Sequence, residues 1–178
     1  MRPPGYYPNL FKTMLVLPGW EVQVDQATRL IAMNANRYSG FVDMTGKAVP
    51  WEYVGVLHYL EAGCRFERQI LNGQRWDQRT TIAPIGKGPW ESWGGSTRSA
   101  LAHRRIRGLA DLEAWNGWGY AKRGVDSPYL WSGSDKGVGS GKYVADGKYD
   151  PTAVSKQIGA AVLLHRLCNG DLSFIAWE

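Results

Sequence analysis

The stretch that most constrains the fold runs from residue 50 to residue 74, PWEYVGVLHYLEAGCRFERQILNGQ. Tyr53 to Leu60 offers little polar surface, so this segment predicts a buried helix, with Pro50 as its first-turn proline. Gly63 follows at a position typical of a helix end. The rest of the chain is therefore expected to be organised around this helix.

Glu61 comes directly after the apolar run. The 3.6-residue period of a helix places it beneath Val54 and Leu57, on the inward face. Loss of water and the negative end of the helix dipole both disfavour a carboxylate there, so the pKa of Glu61 is expected to be raised. Such an acid can donate a proton near neutral pH. The alternative is a solvated helix end or an ion pair with Arg65 or Arg68.

Length and composition favour one globular domain, which we expect over residues 20–178 after an irregular arm over residues 1–19. The chain has 178 residues, of which 44% are hydrophobic and 21% are charged. Its nine Trp and nine Tyr are typical of a cleft that stacks on sugar rings or nucleobases, although core packing also uses them. A net charge of +5 favours an anionic polymer, either nucleic acid or bacterial cell wall.

Cysteine and histidine positions indicate neither a disulfide framework nor a metal site. Cys64 and Cys168 are far apart and the three histidines are scattered, so we expect no metal and no cofactor. No apolar run resembles a signal peptide or is long enough to span a membrane. We therefore expect synthesis in the cytoplasm, without stable membrane insertion.

Periodicity and breaker residues predict few strands and many helices, which is an α+β class that is mostly α-helical. The further predicted elements are helices over 20–37, from Ser96 to Arg107, over 110–115 and from Asp150 to a stop at Asn169–Gly170, a short hairpin or extended flap over 75–90, and a long loop over 127–147.

Several motifs follow one another in a fixed order. They are His58, Glu61, Phe66 and Asn72–Gly73, then WNGWGY at 115–120, SPYLW at 127–131, GKYVADG at 141–147 and VSKQIGAAVLL at 154–164. In this order they resemble the lysozyme-like endolysins of bacteriophages and related bacterial wall hydrolases, over roughly residues 20 to 168. Asn116–Gly117 is more distantly similar to a loop of lytic transglycosylases and goose-type lysozymes.

The resemblance implies a lysozyme-like fold with a small β-hairpin flap beside the cleft. It implies a muramidase that cleaves the N-acetylmuramic acid to N-acetylglucosamine bond of peptidoglycan, with Glu61 as the catalytic acid. A monomer acting on peptidoglycan glycan strands, after holin-type release from the host cytoplasm, would fit a phage enzyme. The family usually has Asp where this chain has Gln74, and acidic residues where it has Gly94, Gly95 and Ser99, so no second carboxylate is carried over by analogy.

Most glycosidases use two carboxylates. Asp77 is the candidate partner of Glu61 because it lies in the predicted flap; a solvated turn residue is the alternative. Thr80 and Thr81 are candidates to hold a water or the substrate N-acetyl group, against simple β propensity. His58 is expected to be a core histidine rather than a base. Without a second carboxylate, two routes stay open: single-acid inversion with a positioned water, and attack by the substrate's own 6-hydroxyl, which is lytic transglycosylation.

Five side chains are candidates to bind substrate, the amide of Asn116 for an acetamido group and four rings for stacking on sugars: Tyr120, Tyr129, Trp131 and Tyr143. An Asn-Gly turn is the alternative for Asn116, and core packing is the alternative for each ring.

Two other protein classes remain as alternatives to a muramidase. A non-catalytic wall-binding module would not need an inward acid. A nucleic-acid-binding protein rests on charge and aromatic content alone, so we expect no nucleic-acid partner.

Overall fold

The computed structural model describes residues 2–116, 118–145 and 147–174. In this part of the chain the helices are α1 (Tyr6–Lys12), α2 (Glu21–Ala32), α3 (Ala35–Tyr38), α4 (Trp51–Ala62), α5 (Trp93–Leu101), α6 (Leu109–Asn116), α7 (Trp118–Arg123), α8 (Pro128–Trp131) and α9 (Ala160–Leu167), and the strands are β1 (Lys142–Ala145) and β2 (Lys148–Asp150). This confirms a mostly helical chain with a small antiparallel sheet. Of the helices described, none has both the length and the apolar character needed to cross a membrane.

The chain divides into two compact units, where the sequence predicted one domain after an irregular arm. The first unit consists of Met1–Thr28 with Arg107–Glu178, and the second of Arg29–Ile106. Residues 1–19, expected to be an irregular arm, contain α1 and are grouped with the first unit. Phe11 of α1 is completely buried, with its ring centroid 5.0 Å from that of His165.

Helix α4 is the centre of the second unit. Nine of its twelve residues are buried, so the predicted buried helix is confirmed. Gly55 lets α3 and the end of α2 pack closely on α4, because a Cβ there would lie 2.5 Å from Ile31 Cγ2 and 3.0 Å from the Tyr38 ring. The helix ends at Gly63, which has a left-handed φ of 60°, as predicted.

Residues 75–90 were predicted to form a short hairpin or an extended flap; they form an irregular loop, so the hairpin alternative does not apply. Pro84 and Pro89 have no amide hydrogen to donate to a strand ladder, and both follow cis peptide bonds. The loop is closed by a side chain: the Thr80 hydroxyl accepts from Lys87 N at 2.9 Å and donates to Pro84 O at 2.5 Å. The β-type residues at the start of this segment therefore do not form a strand.

A β-hairpin is present elsewhere, in the first unit. Its first strand lies at the end of the segment 127–147, which was predicted to be a long loop, and its second strand follows directly. That segment contains α8, a short 3-10 helix and β1. Strands β1 and β2 pair with Lys142 opposite Asp150 and Tyr143 opposite Tyr149, and the register shifts between Tyr143 and Ala145. The hairpin therefore brings two tyrosines and two lysines to one small sheet.

Two predicted helices in the middle of the chain have other bounds. The helix predicted over 20–37 is interrupted and becomes α2 and α3. Helix α5 begins after Ser92, whose hydroxyl accepts from Gly95 N at 3.1 Å, so Ser92 rather than Ser96 is the N-cap. The helix ends at Leu101. The prediction over 110–115 agrees with α6 within one residue at each end.

The last helix is shorter than predicted. Asp150 was expected to be its N-cap, but the Asp150 carboxylate accepts from Thr152 N at 2.8 Å in a local turn, and α9 begins only at Ala160. The predicted stop is confirmed, because Asn169 and Gly170 have left-handed φ angles of 50° and 73°. The C-terminal half of the expected helix is therefore the part that forms.

The first unit buries a carboxyl group beneath its N-terminal segment. Glu113 is only 3% exposed and accepts a hydrogen bond from the Tyr7 hydroxyl. Beside it, the Tyr6 hydroxyl donates to Asp126 at 2.5 Å and Arg2 pairs with the same carboxylate at 3.1 Å. Burial raises the pKa of Glu113, and its hydrogen bond from Tyr7 only partly opposes this.

This burial predicts a pH-dependent effect of Glu113→Gln. A carboxyl group whose pKa is raised on folding stabilises the fold fully below its unfolded pKa, and that contribution is lost as the pH rises through the folded pKa. The amide of the variant does not titrate and can still accept from Tyr7. Thermal melts at pH 4 to 8 should therefore show the variant gaining stability relative to the wild type as the pH rises. Glu91→Gln, at an exposed side chain, is the control and should show no such trend.

Candidate functional site

Glu61 lies in the last turn of α4 and is half-buried. The turn is closed by backbone bonds that Gly63 N makes to Tyr59 O at 2.8 Å and Cys64 N makes to His58 O at 3.3 Å. The carboxyl group is therefore near the negative end of the helix dipole and partly removed from water. This position agrees with the half-buried place at the end of an apolar helix that the sequence predicted for Glu61.

Gly73 brings a second segment directly against the backbone of Glu61. Its φ is 71°, and a Cβ at this position would overlap the Glu61 carbonyl oxygen. Only glycine combines a left-handed conformation with such an approach. The segment around Gly73 therefore packs on the turn that carries Glu61.

The amide side chain that follows Gly73 holds the loop beyond it. Gln74 Oε1 accepts from Thr81 N at 2.9 Å and from Ile82 N at 3.1 Å, and Gln74 Nε2 donates to Thr81 Oγ1 at 2.8 Å. Asn72 Nδ2 adds a bond to Ile82 O at 3.2 Å. The sequence singled out Gln74 only as a departure from an Asp. Its role in fixing the loop depends on residues seven and eight positions away, which no local motif indicates.

Asp77, the predicted second carboxylate, forms an exposed ion pair. Arg75 Nε donates to Asp77 Oδ1 at 2.9 Å and Arg75 Nη2 donates to Oδ2 at 2.5 Å. The hydrogen bonds from Arg75 lower the pKa of Asp77, so this group is an ionised carboxylate whose two oxygens are both engaged. The arrangement matches the solvated turn residue that was its alternative.

The two threonines have different environments. Thr80 is 2% exposed, and its hydroxyl both donates and accepts within the loop, to Pro84 O and from Lys87 N. Thr81 is exposed and its hydroxyl oxygen accepts from Gln74. Of the pair, Thr81 therefore has the hydroxyl that a substrate or a water can reach, while Thr80 stabilises the loop.

His58 is a core histidine, as expected. It is completely buried, with Nδ1 3.1 Å from the Tyr38 hydroxyl and Nε2 3.1 Å from Arg65 O. Because a carbonyl can only accept, Nε2 donates to Arg65 and Nδ1 accepts from Tyr38. Burial lowers the pKa of His58 to about 4, so the ring is neutral and has both nitrogens satisfied.

Helix α4 carries a second buried carboxyl group that sequence reasoning missed. Glu52 is 7% exposed, and burial raises its pKa. It lies in the first turn of the helix, nine residues before Glu61, so the two are separated by roughly 13 Å along the axis. Paired glycosidase carboxyls lie about 5 to 9.5 Å apart. Glu52 is therefore not placed to act with Glu61.

The first unit contains a cavity of about 560 Å³ that includes most of the predicted substrate-binding residues. Four of the five line it: Asn116, Tyr120, Tyr129 and Tyr143. Its volume is in the range of small-molecule sites. Trp131 does not line it. That ring is completely buried, so the core-packing alternative applies to it. Tyr120 and Tyr129 border the cavity but are only 8% and 7% exposed, so they also pack in the core, and Tyr143 is the half-buried ring of the set.

Hydrogen bonds and ring contacts hold the tyrosines of this cavity in place. Tyr120 and Tyr143 meet edge-to-face at 5.0 Å, and the Tyr120 hydroxyl oxygen accepts from Tyr143 N at 3.0 Å. Arg123 Nε donates to the Tyr143 hydroxyl at 3.0 Å. The Tyr143 ring also covers Gly119, where a Cβ would lie 2.9 Å from it. These rings are thus preorganised rather than free to rotate.

The cavity has further lining residues that the sequence did not single out, among them Lys122, Lys142, Ser155 and Gln157. These residues lie in α7, in β1 and in the irregular segment before α9. The periodicity of a single helix or strand therefore does not predict that they line one cavity. Together they add two ammonium groups, a hydroxyl and an amide to the tyrosines. The cavity can therefore offer hydrogen bonds as well as aromatic surface.

The fold and the side chains define a mostly helical protein with a partly buried acid in one unit and an aromatic cavity in the other. No protein-family model, characterised protein or solved structure matches the chain. Function is therefore argued from the geometry of these two places.

Proposed function

We propose that this protein is a peptidoglycan-cleaving muramidase of the phage-endolysin type. Glu61 would protonate the oxygen that links N-acetylmuramic acid to N-acetylglucosamine. The observation on which the proposal depends is the half-buried position of Glu61 at the end of the buried helix α4. A module that only binds cell walls needs no such acid, and this favours the enzyme over that alternative.

The cavity of the first unit supports a saccharide substrate. Tyrosine faces stack on the apolar faces of sugar rings, and Asn116 can both donate to and accept from an acetamido group. The net charge of +5 favours association with an anionic wall polymer. A lysozyme-like fold is part of the same proposal.

The surroundings of Glu61 favour lytic transglycosylation as the second candidate. The Asp77 carboxylate is engaged in an ion pair with Arg75, and Glu52 lies at the opposite end of α4 from Glu61. A single acid is sufficient when the substrate's own 6-hydroxyl attacks the anomeric carbon: Glu61 first gives its proton to the leaving oxygen and then takes the proton of that hydroxyl. The product is a 1,6-anhydro sugar, and no water is consumed.

The experiment is addition of the purified chain to chloroform-permeabilised Gram-negative cells, with mass spectrometry of the fragments released. We expect turbidity to fall. Reducing ends would identify a hydrolase, and 1,6-anhydro ends a lytic transglycosylase. Tight sedimentation with the wall without any fall in turbidity would reject the enzyme and leave the binding module.

A further inference from the structure

We infer that the cavity of the first unit contains a carboxylate-binding subsite formed around Lys142, with Lys122 as a second cation. It would select glycan strands whose sugars bear a lactyl carboxylate over neutral strands of N-acetylglucosamine alone. The inference rests on the proposed function, since it specifies the saccharide that the cavity prefers. It depends on charge and position in the first unit and not on the chemistry of Glu61.

Among the described residues, the charged side chains that line the cavity are all basic. Lys122 and Lys142 both line it, and its described lining residues include no Asp or Glu. The remaining polar groups of the wall, such as the amides of Asn116 and Gln157, are neutral. An anionic sugar substituent is therefore attracted to this wall, and nothing in its described part repels it.

Lys142 has an ammonium group that no side chain of the described residues binds. The nearest candidate by register is Asp150, directly opposite on β2. The Asp150 carboxylate instead accepts from Thr152 N at 2.8 Å and from the Thr152 hydroxyl at 2.7 Å. This local turn engages Asp150, so within the described residues the donors of Lys142 are available to a ligand.

The aromatic residues next to Lys142 can place a sugar beside it. Tyr143, the next residue along β1, lines the same cavity and is held by Tyr120 and Arg123. A sugar ring placed against these tyrosines would present its substituents to the neighbouring lining residues, of which Lys142 is one. A charge-assisted hydrogen bond between ammonium and carboxylate then adds to the stacking.

The test compares two tetrasaccharides with the same number of rings. One is tetra-N-acetylglucosamine, which is neutral, and the other alternates N-acetylglucosamine with N-acetylmuramic acid, which adds two lactyl carboxylates. Binding is measured by calorimetry at low salt on the full chain carrying Glu61→Gln, so that no turnover occurs. We expect the anionic tetrasaccharide to bind about fivefold more tightly, the upper end of what one exposed ion pair gives.

Two matched substitutions then assign the preference to one lysine. Lys142→Gln should bring the two affinities within about twofold of each other. Lys148→Gln removes the same charge from an exposed position of β2 that does not line the cavity, and it should leave the preference intact. Lys142→Arg, which keeps the cation, should preserve it as well.

Three outcomes would overturn the inference: equal affinity of the wild-type cavity for both sugars, a preference that survives Lys142→Gln, or no binding of either tetrasaccharide. Failure of the proposed function is recorded separately. Lysis by the chain with its native Glu61 tests the enzyme, and the sugar preference is read from binding alone. If the chain binds with the expected preference but lyses no cells, the subsite proposal is supported and the muramidase proposal is rejected.

Discussion

Replacing Glu61 by Gln is expected to abolish lysis of permeabilised cells and lower the initial rate of turbidity loss by at least roughly a hundredfold, the usual contribution of a general acid. Gln has nearly the same shape as Glu but cannot transfer a proton to a glycosidic oxygen. Because Glu61 is half-buried at the end of α4, the isosteric change leaves the packing of that turn in place. The loss would therefore be chemical rather than structural.

Glu67→Gln is the matched control. It removes the same charge from an exposed side chain six residues further along the chain. We expect its lysis rate to stay within about twofold of the wild type and its melting temperature to change little, as for most surface substitutions. Circular dichroism melts of both variants check the fold. Near-normal lysis by Glu61→Gln would remove Glu61 from the mechanism.

The part of the fold that sequence reasoning predicted well depends on local signals. Helix α4 follows from a run of apolar residues between Pro50 and Gly63, and its end follows from the conformational freedom of that glycine. His58 was expected in the core because its neighbours on the helix are apolar. In each case the information lies within a few residues, so a single sequence is sufficient.

Helix α2 shows where such reasoning fails. The apolar residues of the helix predicted over 20–37 are Val22, Leu30, Ile31 and Met33; Ile31 is completely buried, whereas Val22 and Met33 are 67% and 83% exposed. The buried side contains Val24, Ala27 and Ile31, which follow one another at helical spacing. Counting apolar residues without fixing the phase of the period therefore does not identify the buried face. The phase is set by what the helix packs against, which the segment itself does not encode.

The candidate site was predictable only in part for a related reason. Glu61 could be found because its neighbours are on the same helix. The partners of Gln74 are amides in an irregular loop, and Lys122 reaches its cavity from another element than Lys142. These contacts depend on how the chain turns back on itself. An irregular loop has no periodic pattern from which such contacts can be predicted.

Gly73→Ala is expected to produce the second large effect, on stability and activity together. Alanine at this position must adopt a φ near 71°, and its Cβ would overlap the Glu61 carbonyl oxygen. The left-handed conformation costs about 1–2 kcal/mol, and overpacking against a backbone atom adds roughly 1–3 kcal/mol. Urea unfolding should therefore show a loss of about 2–5 kcal/mol in the free energy of unfolding.

Gly63→Ala separates the two costs, because the chain has a second glycine in nearly the same conformation without the contact. Gly63 has a φ of 60° and no atom within 4 Å of the position its Cβ would take. It should lose only the conformational part, about 1–2 kcal/mol, and lyse cells at close to the wild-type rate once folded. In Gly73→Ala, either the segment around residue 73 or the last turn of α4 must also move. Because that turn carries Glu61, the folded fraction of this variant should lyse cells more slowly. Equal losses of stability in the two variants would show that the segment at Gly73 can move away from Glu61 without cost, and that its packing does not position the acid.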